Sequence, residues 1–185
     1  MTTARETMID GAIDLFARRG VAGTSLRDVV DHSGAPRGSI YHHFPGGKDE
    51  LAAAAAARAG VLTGGLITKL ASAGDPGAAV TELVEIWCRR LERSDFEQGC
   101  PVAASALAAD DTPAARAAAG EAFARWSGLL SEAFTRSGVP LEEAAARANL
   151  AICAIEGALL VSRSQRSVEP LRAAGRSLVA MWGAA

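Results

Sequence analysis

The sequence predicts an all-α protein: an N-terminal helix-turn-helix unit followed by a larger helical body. Three observations carry this reading. Apolar residues recur at three- and four-residue spacing through most of the chain. No stretch shows the strict alternation of a half-buried strand. Glycine and proline breaks, such as Gly20, Gly34, Asp75-Pro76, Gly99-Cys100-Pro101 and Gly138-Val139-Pro140, fall where one helix-length pattern stops and another starts. With 185 residues, 49% of them hydrophobic, there is ample material for a core, though much of it is alanine.

Taken in order, helix 1 is expected from Thr3 to Arg19, with Ile9, Ile13 and Phe16 as its stripe and Met8, Ala12 and Leu15 widening it. Thr24 or Ser25 can cap helix 2, whose apolar positions are Leu26, Val29 and Val30. Gly34 closes it in the left-handed conformation. Pro36 fits the first position of helix 3, expected to run to Phe44 with Ile40 and Phe44 as anchors. The opposite face carries Arg37, Ser39, Tyr41, His42 and His43. Two helices on a tight glycine turn, the second turning basic and hydrogen-bonding side chains outward, make a DNA reader. Helix 4 opens at Lys48–Glu50 and carries Leu51, Ala55, Leu62 and Leu66. Its Gly64-Gly65 pair, each glycine costing roughly 1 kcal/mol against alanine, reads first as a packing contact or bend and second as a hinge.

Helix 5 starts at Asp75-Pro76 with the stripe Val80, Leu83, Val84, Trp87 and Leu91. A short helix follows Pro101 to about Leu107, and Asp110–Pro113 is the next break. Helix 7 carries Phe123, Trp126, Leu130 and Phe134. Helix 8 opens at Pro140, with Leu141, Ala145, Ala148, Ile152, Ile155 and Leu159 spaced like a packed bundle seam. Helix 9 follows Val168, with Leu171, Gly175, Leu178 and Trp182 on one side.

The ordered pattern of an amphipathic first helix, TSLRDVVDHSG, GSIYHHF and KDEL resembles the TetR family of bacterial transcriptional regulators. The likeness is close over roughly the first 50 residues and general beyond them. The stretch GSIYHHFPGGK, one residue longer between Phe and Lys than the commonest version, is similar to the LmrA/YxaF-like subgroup. Val30 departs from the pattern, which usually has a small alanine there. The resemblance implies a nine-helix TetR-like architecture, with a DNA-binding domain at residues 1–48 and a ligand-sensing and dimerisation domain at 49–185. It implies DNA contacts at positions 37–43 and 48, a small-molecule pocket among helices 5 to 8, and a homodimer through helices 8 and 9.

Each reader residue has a physical task. The amides and hydroxyls near Thr24 and Ser25 can take a phosphate at a helix N-terminus. Arg37 can fork onto a guanine edge, with Ser39 beside it at the start of helix 3. Gly38 allows close approach to the bases. Tyr41, His42 and His43 can meet phosphates or thymine methyls, and Lys48 suits a phosphate. Bulk charge does not drive this, since the net charge is -2. Residues 1–48 hold Arg5, Arg18, Arg19, Arg27, Arg37 and Lys48 against Glu6, Asp10, Asp14, Asp28 and Asp31. Binding must therefore rest on local placement.

In the sensor the candidate effector residues are Trp87, Cys88, Phe123, Trp126, Leu130 and Glu156. Glu156 is the carboxylate of an otherwise apolar run, Ala151–Val161. A buried carboxylate needs a donor, so it either recognises a cationic or hydrogen-bonding ligand or is a paired structural acid. No phosphate loop, nucleophile elbow or HExxH motif points to catalysis. His42 and His43 point about 100° apart on a helix and do not share one ligand field, so no metal or cofactor is expected. Cys88, Cys100 and Cys153 show no paired spacing and are expected as small buried hydrophobes. Met1–Arg19 is amphipathic and acidic rather than a signal peptide, and the apolar run Leu150–Val161 is too short to span a bilayer. A cytoplasmic protein is expected. Two other readings are a thiol-based redox regulator working through Cys100 and a helical interaction protein that does not bind DNA.

Overall fold

A computed structural model describes residues 3–36, 38–72, 74–108 and 112–183. Among them lie nine helices and no strand: α1 (Ala4–Arg19), α2 (Leu26–Ser33), α3 (Ile40–His43), α4 (Gly47–Ala71), α5 (Pro76–Arg93), α6 (Pro101–Ala106), α7 (Pro113–Arg136), α8 (Leu141–Gln165) and α9 (Glu169–Gly183). The expected break at Asp110-Asp111 lies outside the described residues.

The helices form two compact units. One holds residues 1–61 and 100–122, and the other residues 62–99 and 123–185. The chain thus leaves the first unit within α4, returns at Cys100, and leaves again within α7.

The first unit is built on α1. A capping box starts it: Thr3 Oγ1 accepts from the Glu6 amide at 3.2 Å, and Glu6 Oε2 accepts from the Thr3 amide at 2.8 Å. Met8, Ile9, Ala12, Leu15 and Phe16 pack with Val29 and Val30 of α2, Ile40 of α3 and Leu51, Ala52 and Ala55 of α4. Val30 is accommodated where the resembling pattern has alanine. Nearby, a Cβ on Gly11 would lie 3.2 Å from Ser33 Cβ, so α1 and α2 approach closely at that point.

In α4 the buried row is Leu51, Ala52, Ala55, Ala56 and Ala59, then Ile67 and Ala71. Leu62, expected on the apolar face, is instead 61% exposed. Beyond Leu51, small alanines form this contact, and they let neighbouring helices come close. Gly60 shows how close: a Cβ there would lie 2.6 Å from Ala122 Cβ. Gly64-Gly65 does not interrupt the helix. A Cβ on Gly64 would make ordinary contacts, the nearest 3.5 Å from Leu129, and on Gly65 it would meet nothing. These glycines should therefore answer substitution with opposite signs. Gly65→Ala should raise stability by roughly 0.5–1 kcal/mol through helix propensity. Gly60→Ala should lower it by roughly 1–3 kcal/mol through overpacking. Denaturant midpoints check both, and a stabilised Gly60→Ala would refute the tight crossing.

In the second unit, Val80, Leu83, Val84, Trp87 and Leu91 of α5 are all buried, as are Leu171, Gly175 and Leu178 of α9. A Cβ on Gly175 would lie 3.0 Å from Val84 Cγ2, so α9 crosses α5 closely there. Buried Ser162 of α8 accepts the Leu171 amide at 3.1 Å and so satisfies one early donor of α9. Arg172 forks onto Glu85 at 2.8 and 3.0 Å. The Arg172 hydrogen bonds hold the Glu85 carboxyl below its ordinary 4.5. That contribution is complete above the unfolded value and lost as pH falls through the lowered native one. Glu85→Gln should therefore flatten the acid limb of a stability–pH profile; an unchanged limb would refute it.

On α8 the buried row is Ala144, Ala148, Ala151, Ile155, Leu159 and Ser162. Leu141 and Ala145, expected in the seam, are exposed. The opposite side carries Leu150, Leu160 and Val161, at 41%, 65% and 42% exposure, with the small residues Ala146, Cys153 and Gly157 also exposed. Helices α4 and α8, at 25 residues each, are long and apolar enough to cross a membrane by length and composition alone. The short run Leu150–Val161 therefore understated α8.

Candidate nucleic-acid interface and effector cavity

The reader is held by local hydrogen bonds that the sequence dictates. Ser25 caps α2: its Oγ accepts the Asp28 amide at 3.1 Å, and Asp28 Oδ2 accepts the Ser25 amide at 2.7 Å. Bonds from the Ser25 hydroxyl and then its amide hold the Asp28 carboxyl below its ordinary value. Thr24 is 1% exposed; its hydroxyl donates to the Gly20 carbonyl at 2.9 Å and its amide to Val21 at 3.2 Å. Thr24 is thus a fastening of the turn, and its side chain offers nothing to a phosphate. The amide of Ser25 is already engaged by Asp28, while its side chain is on the surface.

Gly34 takes φ 69°, ψ 15°, the left-handed cap expected after α2. α3 is shorter than the sequence suggested. Pro36 does not open a helix; the Ser39 amide and hydroxyl both reach back to the Pro36 carbonyl, at 2.9 and 2.7 Å, closing a turn. Helix begins at Ile40. Gly38 is the physical reason, because a glycine just inside the predicted helix weakens its first turn. Arg37 lies outside the described residues. A Cβ on Gly38 would meet nothing within 4 Å, so that surface is open.

Below the turn, Ile40 and Phe44 are buried and fix the helix to its base. Above it, Tyr41 is 67% exposed, His42 is exposed and His43 half-buried. The two imidazoles sit edge to face, centroids 5.2 Å apart. Lys48, on the first turn of α4, reaches the Ala22 carbonyl at 3.5 Å, which brings its ammonium beside the loop before α2. Two further cations were not singled out by the sequence. Arg27 projects from α2, with Asp31, one turn on, 3.6 Å away. The Arg5 guanidinium lies 4.9 Å over the Phe44 ring. The spacing Arg27–Asp31 was legible; the Arg5–Phe44 stacking, between distant positions, was not.

The second unit holds a small, partly open cavity. Trp87, Trp126, Leu130 and Glu156 line it together with Thr63, Ile67, Leu83, Ile152 and Ile155. Its free volume is about 20 Å³, room for about one water. Four of the six expected effector residues therefore converge. Cys88 is fully buried and does not line the cavity, and burial pushes its thiol up, first by desolvation. Phe123 is half-buried and meets Trp126 edge to face at 5.2 Å, so it backs the wall rather than forming it. Glu156 is half-buried, on the cavity side of α8.

The cysteine expectation is partly corrected. Cys88 and Cys100 are buried, but Cys153 is exposed on α8. Cys100 is 5% exposed and its sulfur accepts the Ala103 amide at 3.4 Å as the cap of α6. This geometry gives the redox reading no support. Among the described residues no group of three His, Cys, Asp or Glu side chains gathers as a metal site.

A short, outward-facing helix on a three-helix base, joined to a helical unit with an apolar cavity, defines a helix-turn-helix transcriptional regulator. Residues 8–55 match the family model described as bacterial regulatory proteins, tetR family, and residues 76–177 match the C-terminal domain of LmrA/YxaF-like transcriptional regulators. The chain is 37% identical to the HTH-type transcriptional regulator Rv0196 of Mycobacterium tuberculosis, over 96% of this chain and 93% of the other. It is 32% identical to the HTH-type transcriptional regulator LmrA of Bacillus subtilis, over 91% and 90%. A TetR transcriptional regulator from Legionella pneumophila superposes with a TM-score of 0.85 at 18% identity, covering 96% of each chain. The regulator CifR, solved as a cysteine mutant with a 26 bp operator duplex, gives 0.78 at 21% identity, covering 94% of each. The protein belongs to the TetR family of bacterial transcriptional regulators.

Proposed function

We propose that this regulator is a cytoplasmic homodimeric repressor, released from a palindromic operator by a small molecule. The functional division runs near residue 48, with the reader before it and the sensing and dimerising body after it. The observation that carries the reading is the two-sided α3: Ile40 and Phe44 fix it from below, while Tyr41 and His42 stand free above. Arg37, Gly38, Ser39, Tyr41, His42, His43 and Lys48 are assigned to DNA, with Ser25 at the edge. Relatives named as transcriptional regulators support a role without catalysis. The exposed apolar side of α8 supports a dimer through α8 and α9, because pairing would remove Leu150, Leu160 and Val161 from water. The cavity around Trp87, Trp126 and Glu156 supports a small effector, mainly apolar, with one polar group toward the carboxylate. Its size requires the walls to part on binding.

A symmetric pair of readers must place both copies of α3 in major grooves about 34–36 Å, or a multiple, apart. Selection from random DNA followed by footprinting should give two related half-sites. Protection of one unrepeated half-site by a monomer would overturn the reading. Within the reader, Arg37→Ala should cost roughly 1–3 kcal/mol and relax preference at one position per half-site. Lys48→Ala should weaken all sequences alike and lower the salt slope by about one per contact. Identical profiles would refute the division of labour.

A further inference from the structure

The second unit also holds a cleft, where α5 begins and where α7 and α9 end. It is half-open to solvent, with a free volume of about 520 Å³. That lies within the roughly 300–1,000 Å³ of small-molecule sites, whereas the cavity around Trp126 has about 20 Å³. The two share no lining residue. Phe134, Val139, Val179 and Trp182 supply apolar wall, and the Phe134 and Trp182 rings meet edge to face with centroids 4.7 Å apart.

Three polar groups decide what fits. Trp182 Nε1 is the only buried side-chain nitrogen or oxygen among the described residues that lacks a hydrogen-bond partner. That wall is therefore matched by an acceptor. Arg147, its side chain 15% exposed, gives two of its five N–H donors to one Glu143 oxygen, from Nε at 3.0 Å and from Nη2. Asp75 is exposed; one of its oxygens accepts the Gly77 amide at 2.8 Å as the cap of α5, and its carboxylate has lone pairs to spare. Because Glu143 matches the charge of Arg147, Asp75 leaves the cleft with a negative excess. A carboxylate ligand would be repelled by that excess. An ammonium would bring no acceptor to the indole and would face the guanidinium. A neutral amide offers its carbonyl to the donors and its N–H groups to Asp75.

We propose that this cleft is a second ligand site, taking an uncharged, mainly apolar molecule that carries an amide. It depends neither on the operator reading nor on the cavity around Trp126. Three probes of one skeleton test it: 3-phenylpropanamide, 3-phenylpropanoate and 3-phenylpropylamine, each titrated into the full chain at neutral pH. The indole N–H resonances of the three tryptophans, Trp87, Trp126 and Trp182, are followed by nitrogen-15 NMR, with Trp182→Phe assigning the last. The amide should shift the Trp182 resonance saturably and leave the other two in place. The acid and the amine should bind about ten-fold more weakly. Trp182→Phe keeps a ring against Phe134 but loses the donor, so ligand-observed NMR should show the amide weakened about three-fold or more. Asp75→Asn keeps a cap on α5 and removes the negative excess, so it should narrow the margin of the amide over the acid. An amide that moves Trp87 or Trp126 in place of Trp182 has entered the other cavity, which overturns the proposal. It is equally overturned if no probe saturates, if the acid or the amine binds as tightly as the amide, or if Trp182→Phe keeps parental affinity. Should Trp182→Phe fail to fold, the ranking of the probes on the parent and the Asp75→Asn margin still decide.

Discussion

Phe44→Ala is expected to lower the stability of the reader unit by about 3–5 kcal/mol and to abolish operator binding. Phe44 has 0% exposure and sits in one cluster with Phe16, Val29, Ile40 and Leu51. Its removal leaves a cavity in that cluster and takes away the ring on which Arg5 rests. α3 has only four residues, too few to hold a helix by its own hydrogen bonds. Its orientation comes from Ile40 and Phe44, so the recognition surface goes when the anchor goes. Domains of this size are stable by only about 5–15 kcal/mol, which makes the expected loss a large share. Urea unfolding and operator titration check it. A variant that unfolds at the parental midpoint and still binds operator would show that α3 is held by something other than this ring.

A charge on the outer side of α8 should act on assembly and leave the fold alone. Leu150 and Leu160 are well exposed in the single chain, so Leu150→Glu with Leu160→Glu disturbs no core contact. In a dimer sealed by this side, each glutamate would be buried without a partner, a penalty large enough to separate the subunits. Two readers on one rigid dimer act at a high effective concentration, and uncoupling them forfeits roughly 10²–10⁴ in affinity for a two-half-site operator. The double variant should sediment as a monomer with parental helix content and bind operator at least a hundred-fold more weakly. A dimer that persists with parental affinity would place the seam elsewhere.

Much of the reader was legible because its determinants are local. Ser25 and Asp28 form a capping box at fixed spacing, Gly34 ends α2 by its own conformation, and Ile40 and Phe44 lie one turn apart. Local reasoning failed where two local signals compete: Pro36 invites a helix, and Gly38 with Ser39 closes a turn instead. It also failed where the partner is remote. Asp49 is spent on the first turn of α7, 66 positions on, and no spacing rule announces it. In α4 the periodicity admitted two faces, and the choice fell to alanines because they permit close approach, leaving Leu62 outside. The lining of the cavity was half legible. Aromatics on α5 and α7 were the natural candidates, but only their rotation about the helix axis separates Trp126, in the cavity wall, from Phe123 behind it.

The discontinuity of the first unit has a consequence for biosynthesis. Ala108 and Ala115 belong to the same buried cluster as Phe16 and Leu51, although α5 is made before either emerges. A ribosome that has released the recognition helix has therefore not yet released the residues that seal its base. The DNA-reading part matures only after much of the sensing part has been synthesised. A chain arrested before Ala115 would lack part of that cluster, so its reader should open more readily to proteolysis than in the finished chain.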